Sequence, residues 1–305
     1  MIRLPSFKCE TNKVSSNCNF MEEIKFTKMH GLGNDYIYIN CMESCPDRLE
    51  ELSIEMSPRH TSVGSDGIIL ILPSKIADFK MRIFNADGSE AKMCGNGSRC
   101  VGKFVYDHHL TDKRDITLET NSGVKYLKLF VNPRSNKVDA VTVDMGVPST
   151  ACGDIPVTFD KPQMIAEEVT TSIGALRLTA VSMGNPHGVI FLEDIDGLDL
   201  TLIGPEMENH KMWPDRANIE FAKVISPERI EMRVWERGSG ETMACGTGAC
   251  AVAVAGYLNG LTGRKVTIGL RGGDLEIEID EKSGHVLMTG PAVEAFNGTF
   301  ISHRQ

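Results

Sequence analysis

The chain has 305 residues, which exceeds the usual size of one domain, so two domains of about 150 residues are expected. Its 32 basic and 41 acidic residues give a net charge of −9, which argues against a nucleic-acid or anionic membrane surface. No stretch approaches the roughly 20 consecutive apolar residues that span a bilayer. Nine cysteines without a secretory signal favour reduced thiols in a cytoplasmic protein.

The first 22 residues are polar, rich in Ser and Asn, and have no apolar core. We expect a disordered extension, or an upstream start with Met21 near the natural beginning. An organelle transit peptide is less favoured, because the segment is short and contains only one arginine.

In chain order, short apolar segments bounded by Gly, Pro, Asn and Asp predict strands. In the first half these are residues 36–39, 67–72, 79–84, 115–120, 124–131 and 140–145. In the second half they are residues 176–181, 189–192, 219–224, 230–235, 265–270 and 274–279. Two helices are predicted at 95–107 and 246–258, and the second is apolar on all sides, so it must be surrounded by protein.

An internal duplication relates the two halves of the chain. At a constant offset of 151, residues 82–106 align with residues 233–257 without a gap. The identical pairs are Arg82/Arg233, Glu90/Glu241, Cys94/Cys245, Gly95/Gly246, Gly97/Gly248, Val101/Val252 and Tyr106/Tyr257, and Gly33-Asn34 pairs with Gly184-Asn185. We therefore predict an α+β fold of two pseudo-symmetric domains, each a strongly curved, mostly antiparallel sheet around a central helix. The predicted crossover lies near 146–160.

Each half carries one cysteine in a Cys-Gly-x-Gly loop at the start of a helix. Free N–H groups and the positive end of the helix dipole stabilise an anion there, so we expect a lowered thiol pKa. Two opposed loops could hold one carboxylate and place a carbon between Cys94 and Cys245. One sulfur would then remove a proton while the other delivers one to the opposite face, which inverts a stereocentre. Because the two thiols share one proton, their titrations should be coupled.

A second set of residues is rich in amides, which both donate to carboxylates and accept from ammonium groups. It includes Asn34 and Asn185, which match under the offset, whereas Asn85 aligns with Glu236 and Gly67 aligns with Asn218. Together with one arginine, Arg237, these residues suit a substrate with amino and carboxylate groups at both ends. His187 and Glu236 are predicted to support the thiols.

Zinc is not predicted, because Cys94/Cys100 and Cys245/Cys250 lack the close spacing of structural zinc sites and no histidine pair completes a set. For Cys9, Cys18, Cys41, Cys45 and Cys152 we expect buried small hydrophobes or incidental surface thiols.

Several motifs in order resemble those of the diaminopimelate epimerase family. They are Lys28-Met-His-Gly-Leu-Gly-Asn-Asp35, Arg82-Ile-Phe-Asn-Ala-Asp-Gly-Ser-Glu90, Cys94-Gly-Asn-Gly97, Ser182-Met-Gly-Asn-Pro-His187, Glu236-Arg237-Gly238 and Glu241-Thr-Met-Ala-Cys-Gly-Thr-Gly248. The resemblance extends from about Phe26 to the C-terminus. It implies interconversion of LL- and meso-2,6-diaminopimelate in lysine and peptidoglycan precursor biosynthesis, without a cofactor or metal.

The resemblance also implies roles for individual residues. Cys94 would donate and Cys245 accept the proton in the LL-to-meso direction, supported by His187 and Glu236. Substrate contacts would come from Asn34, Gly67, Asn85, Gly95, Asn96, Asn185, Asn218, Glu236, Arg237, Gly246 and Thr247. Gly67 stands where some members have glutamine, so any contact there would come from the backbone. The domains would comprise residues 23–147 plus 289–305 and residues 148–288, with a last strand near 289–301 completing the first, in a homodimer.

The sequence is also compatible with two alternative functions. A proline racemase or hydroxyproline epimerase would use the same pair of thiols on opposite faces of the carbon, but it needs no contacts for a distal amino-acid group. A binding protein or redox sensor could instead form a regulatory disulfide between Cys94 and Cys245. Turnover by the reduced protein would separate catalysis from the second alternative.

Overall fold

The computed structural model describes residues 21–303. The predicted extension lies outside this range except for residues 21–22, which belong to the first strand. The first half contains, in order, β1 (Met21–Gly31), β2 (Asn34–Asn40), α1 (Leu49–Met56), β3 (Gly67–Leu72), β4 (Phe79–Asn85), β5 (Glu90–Ala91), α2 (Gly95–Asp107), β6 (Asp115–Thr120), β7 (Gly123–Val131) and β8 (Val138–Asp144).

The second half repeats this order, with one strand added before it and one after it. It contains β9 (Glu167–Thr171), β10 (Gly174–Ser182), β11 (Pro186–Phe191), α3 (Leu200–Glu208), β12 (Asn218–Ser226), β13 (Arg229–Glu236), β14 (Gly240–Glu241), α4 (Gly246–Leu258), β15 (Lys265–Leu270), β16 (Gly273–Ile279), β17 (Val286–Pro291) and β18 (Val293–His303). Every predicted strand is present with its ends shifted by at most a few residues, and the two predicted helices are confirmed as α2 and α4.

Strand pairing follows the duplication. The parallel pairs β2–β3 and β4–β6 of the first half correspond to β11–β12 and β13–β15 of the second, and the remaining strand pairs are antiparallel. The two halves meet where β8 pairs with β17, so the strands join into one continuous sheet. The predicted α+β fold with mostly antiparallel, pseudo-symmetric halves is confirmed.

Alternation of side chains along each strand explains why each half has a helix on both sides of its sheet. In the first half, Ile37 and Ile68 face α1, whereas Tyr38 and Ile69 face α2 and the central core. In the second half, α3 packs on the outer side in the same way, beside Ile219 and Phe221. The central helix α4 is buried over nearly all of its length, as its uniformly apolar sequence predicts.

The C-terminal region differs from the single last strand that was expected. Two strands occupy it: β17 pairs with both β16 and β8, and β18 then pairs with β1 along its length. Thus β1 takes β18 as its outer neighbour, whereas its counterpart β10 takes β9. The chain therefore returns to the first half at its end. No helix within residues 21–303 is long and apolar enough to cross a membrane.

Gly204 in α3 lies directly under the indole ring of Trp235. A Cβ atom at Gly204 would lie 2.4 Å from Trp235 Cδ2, and the ring cannot move freely because Trp235 Nε1 donates to Glu208 Oε2 at 2.8 Å. We therefore expect Gly204→Ala to lower the free energy of unfolding by about 1–2 kcal/mol, since the clash outweighs the gain in helix propensity.

Chemical denaturation measures this change. Gly153→Ala is the matched control, because a Cβ atom at Gly153 meets nothing within 4 Å, and its effect should stay within about 0.5 kcal/mol. Equal or greater stability of the Gly204 variant would contradict this account of the packing.

Candidate active site

Each of the two loop cysteines caps the N-terminus of a central helix. Cys94 precedes α2, and its sulfur accepts a hydrogen bond from the Gly97 N–H at 3.3 Å. Cys245 precedes α4, and its sulfur accepts from the Gly248 N–H, also at 3.3 Å. Both cysteines have an extended backbone. The duplicated sequence therefore gives two equivalent capped thiols.

The two cysteine loops lie against each other. Asn96 Nδ2, in the first turn of α2, donates to the carbonyl oxygen of Ala244 at 3.2 Å. Met288 from β17 fills the space between the helix ends, and Cβ atoms at Gly95 and Gly246 would approach it to 2.7 and 3.1 Å. Glycine at the start of each helix therefore leaves room for Met288, on which both helix ends converge.

Both thiols line one cleft of about 690 Å³ between the halves. The predicted site residues that line it are Asn34, Asn85, Cys94, Gly95, Asn96, Asn185, Glu236, Arg237, Cys245, Gly246 and Thr247. The cleft is also lined by five residues that the sequence did not single out: Tyr36, Lys92, Ser122, Lys125 and Met183. Neither Cys94 nor Cys245 is in a disulfide.

Burial overturns the expected direction of the thiol pKa shifts. Burial raises the pKa of the Cys94 thiol, and the hydrogen bond from Gly97 only partly offsets this. The pKa of Cys245 is raised well above its usual range, first by burial and then by the negative charges of Glu236 and Glu220. The helix ends do favour the thiolates, but desolvation outweighs them. The prediction of lowered thiol pKa values is therefore wrong for this structure.

His187 stands behind the cleft wall, with no exposed surface. Its Nδ1 lies 2.7 Å from Glu220 Oε1, and its Nε2 lies 3.1 Å from Asn185 Oδ1. The amide nitrogen of Asn185 donates in turn to Thr247 Oγ1 at 3.4 Å, and that oxygen lies 3.5 Å from Cys245 Sγ. His187 thus reaches the second thiol only through other side chains.

Gly67 and Asn218 also lie outside the cleft lining. The Asn218 Oδ1 atom accepts from the Arg237 N–H at 2.9 Å, so this side chain holds the backbone of a residue that does line the cleft. Gly67 has φ +149°, and a Cβ atom there would lie 2.0 Å from the carbonyl oxygen of Phe84. Close strand packing accounts for this glycine, and the structure gives it no place in the cleft.

Glu236 lies close to Cys245, and a hydrogen bond from Thr242 holds its carboxylate. Thr242 Oγ1 donates to Glu236 Oε1 at 2.5 Å. Burial raises the pKa of the Glu236 carboxyl, while hydrogen bonds with Thr242 and Cys245 act in the opposite direction. A carboxyl group with this shift beside a thiol is suited to exchanging a proton with it.

Glu220 is the clearest functional candidate that the sequence analysis missed. It lies fully buried in β12 against His187, and its Oε2 has no hydrogen-bond partner among residues 21–303. A charged residue inside the apolar run Ile219-Glu-Phe-Ala222 was the signal available in the sequence. No group of three or more His, Cys, Asp or Glu side chains in this same range is arranged to hold a metal.

Comparison with solved structures identifies the fold. A hydroxyproline epimerase from Agrobacterium vitis superposes with a TM-score of 0.64 at 14% identity, covering 92% of this chain and 92% of that one. A PhzF-family phenazine biosynthesis protein from Bacillus anthracis gives 0.63 at 15% identity, covering 92% and 99%. At such low identity these proteins share the fold alone. The fold and the paired cysteine loops thus define a two-thiol protein of this duplicated α+β class.

Closer relatives identify the family. Residues 26–151 and 179–294 match the diaminopimelate epimerase family model. The diaminopimelate epimerase of Agathobacter rectalis is 54% identical over 282 residues, covering 90% of this chain and 98% of the relative. That of Bacteroides thetaiotaomicron is 55% identical over 277 residues, covering 90% and 97%. The chain belongs to the diaminopimelate epimerase family, which confirms the resemblance in its motifs.

Proposed function

We propose that this protein is an isomerase that interconverts LL- and meso-2,6-diaminopimelate by proton transfer between two cysteines and Cα. The observation that carries the proposal is the pair of equivalent, helix-capping thiols in one cleft. Relatives that are 52–55% identical over about nine-tenths of the chain are named diaminopimelate epimerase. The reaction belongs to the diaminopimelate route of lysine biosynthesis.

In the proposed mechanism, the substrate α-carboxylate binds at the two helix N-termini. The backbone N–H groups of Gly95, Asn96, Gly246 and Thr247 are oriented to hold such an anion. With the carboxylate held there, Cα lies between the sulfurs of Cys94 and Cys245. Cys245 removes the α-proton of the LL isomer while Cys94 delivers one to the opposite face, and the roles reverse in the other direction.

The raised thiol pKa values assign a further role to the substrate. Before the substrate enters, burial and the nearby carboxylates favour the neutral thiols. The α-ammonium brings a positive charge into the same desolvated cleft, and a nearby cation lowers a thiol pKa. Substrate binding therefore helps to produce the thiolate it needs. Glu236 takes the proton that Cys245 loses, because the two groups are in direct contact.

We further propose that His187 and Asn218 support catalysis indirectly, through Asn185 and the Arg237 backbone. Arg237 and Asn85 hold the distal amino-acid group, since both lie in the cleft wall. A cytoplasmic homodimer is also proposed, with exposed Phe296 and Ile301 on β18 as its apolar contact surface.

Incubation of the reduced protein with LL-diaminopimelate in deuterated water tests the function. We expect meso product with one deuterium at the inverted Cα, detected by chiral chromatography and mass spectrometry. Proline and hydroxyproline serve as competing substrates in parallel reactions. Absence of both meso product and deuterium would contradict the epimerase assignment. Faster turnover of proline than of diaminopimelate would favour a proline racemase.

A further inference from the structure

Asn34 is held in one orientation by a carboxylate that does not itself line the thiol cleft. Its Nδ2 donates to Asp66 Oδ2 at 2.9 Å, and its Oδ1 faces the cleft. There Oδ1 lies 3.4 Å from both Cys94 Sγ and Asn96 Nδ2, each of which can donate to it. All three contacts are consistent with the amide nitrogen facing Asp66 and the amide oxygen facing Cys94 and Asn96.

Asp66 accepts hydrogen bonds from three N–H groups in this arrangement. Besides Asn34, its Oδ2 accepts the backbone N–H of Asp35 at 3.1 Å, and its Oδ1 accepts from Arg59 at 2.7 Å. All three contacts come from N–H groups, so Asp66 is the acceptor in each of them. Arg59 also binds both carboxylate oxygens of Asp35, which fixes the guanidinium in place.

The second half has no equivalent of these Arg59–Asp66–Asn34 contacts. At the offset of 151, Asp66 aligns with Ala217 and Arg59 aligns with His210. The counterpart of Asn34, Asn185, instead has its Oδ1 toward His187 and its Nδ2 toward Thr247. The duplicated asparagines are therefore held by different partners, although their positions in the fold match.

We propose that Asp66, fixed by Arg59, is a positioning residue that keeps the Asn34 amide oxygen directed at the cleft and Cys94. An amide held this way directs its acceptor oxygen at Cys94, while its nitrogen is engaged with Asp66. It suits the α-ammonium of the substrate and the S–H of Cys94, and it does not suit a carboxylate. The inference rests on the proposed function and adds that the first half supplies the ammonium side of the site.

The proposal predicts rescue by an exchange of the two residues. In Asn34→Asp, the new carboxylate faces Asp66, and repulsion between like charges turns or displaces it. In the double variant with Asp66→Asn, the amide lies at position 66 and donates to an aspartate at position 34. An acceptor again faces the cleft, and the net charge equals that of the wild type.

We expect Asn34→Asp to lower kcat/KM for diaminopimelate about 10- to 100-fold. Adding Asp66→Asn should recover at least about tenfold of this loss. Asp66→Asn alone should raise KM, because an amide at position 66 no longer forces the Asn34 orientation. Thermal unfolding of each variant checks that the differences do not arise from loss of fold.

Two matched controls make the same change in net charge but do not place the exchanged residues in contact. Asp87 is an exposed carboxylate in the neighbouring hollow that also contains Asp66. Adding Asp87→Asn to Asn34→Asp restores the same net charge and should not restore activity. Asn185→Asp should lose activity too, and Asp66→Asn should not recover it, because Asp66 makes no contact with Asn185.

Equal recovery with Asp87→Asn would overturn the proposal in favour of a net-charge effect, and no recovery with Asp66→Asn would overturn it outright. Calorimetric titration with diaminopimelate runs in parallel on every variant. If the wild type binds diaminopimelate but does not epimerise it, the proposed function fails. In that case, the binding constants of the same variants still decide whether Asp66 orients Asn34.

Discussion

Replacement of either Cys94 or Cys245 by serine is expected to lower the rate of diaminopimelate epimerisation by at least about 10³-fold. Inversion needs a base on one face of Cα and an acid on the other. Because the two thiols are the equivalent caps of α2 and α4 in one cleft, neither can stand in for the other. A serine hydroxyl is far less acidic than a thiol and forms no useful base here.

Hydrogen exchange separates the two variants more sharply than turnover does. In Cys94→Ser, Cys245 can still remove the α-proton of the LL isomer and return a deuteron to the same face. We therefore expect slow deuterium uptake by LL-diaminopimelate without inversion. In Cys245→Ser, uptake without inversion should occur only at the D-centre of the meso isomer. Mass spectrometry after chiral separation measures both.

Cys45→Ser is the control, because Cys45 is an exposed thiol outside the cleft lining. Its rate should match that of the wild type. Epimerisation by either single cleft variant at the wild-type rate would disprove the two-thiol mechanism. Exchange at both the L-centres of the LL isomer and the D-centre of the meso isomer in one variant would mean that a single group serves both faces.

The sequence predicts most of the fold because the duplication is visible in it. The central helices were predicted with their observed ends, since glycines and cysteines mark where they begin. Helices α1 and α3 were missed, yet they obey the same offset: Leu49 aligns with Leu200, and Met56 aligns with Met207. Each is short, with eight residues in α1 and nine in α3, so its periodicity alone is a weak signal.

The site was predictable where chemistry lies in the loop itself, and much less so where it depends on tertiary contacts. Cys94 and Cys245 follow from a local motif. Asp66 contacts Asn34 and Glu220 contacts His187, and only the folded chain brings these partners together. The direction of the thiol pKa shift was mispredicted for the same reason, because a sequence shows a helix start but does not show how deeply it is buried.

Glu236→Gln is expected to change thiol reactivity and catalysis in opposite directions. After burial, the charge of Glu236 is the largest cause of the raised Cys245 pKa. Its removal should lower that pKa and speed alkylation of Cys245 by iodoacetamide about three- to tenfold near pH 8, because more thiolate is present. Epimerisation should nevertheless fall about 100-fold, since the amide cannot take the proton that Cys245 loses.

Peptide mass spectrometry follows each cysteine separately during alkylation. Cys94 should respond less than Cys245, because burial and the Gly97 hydrogen bond precede Glu236 among the causes of its shift. Glu228→Gln removes one negative charge from an exposed position and serves as the control. Slower alkylation of Cys245 in the Glu236 variant would contradict the electrostatic account. Unchanged turnover would exclude Glu236 as the proton acceptor, which leaves substrate charge alone to generate the thiolate.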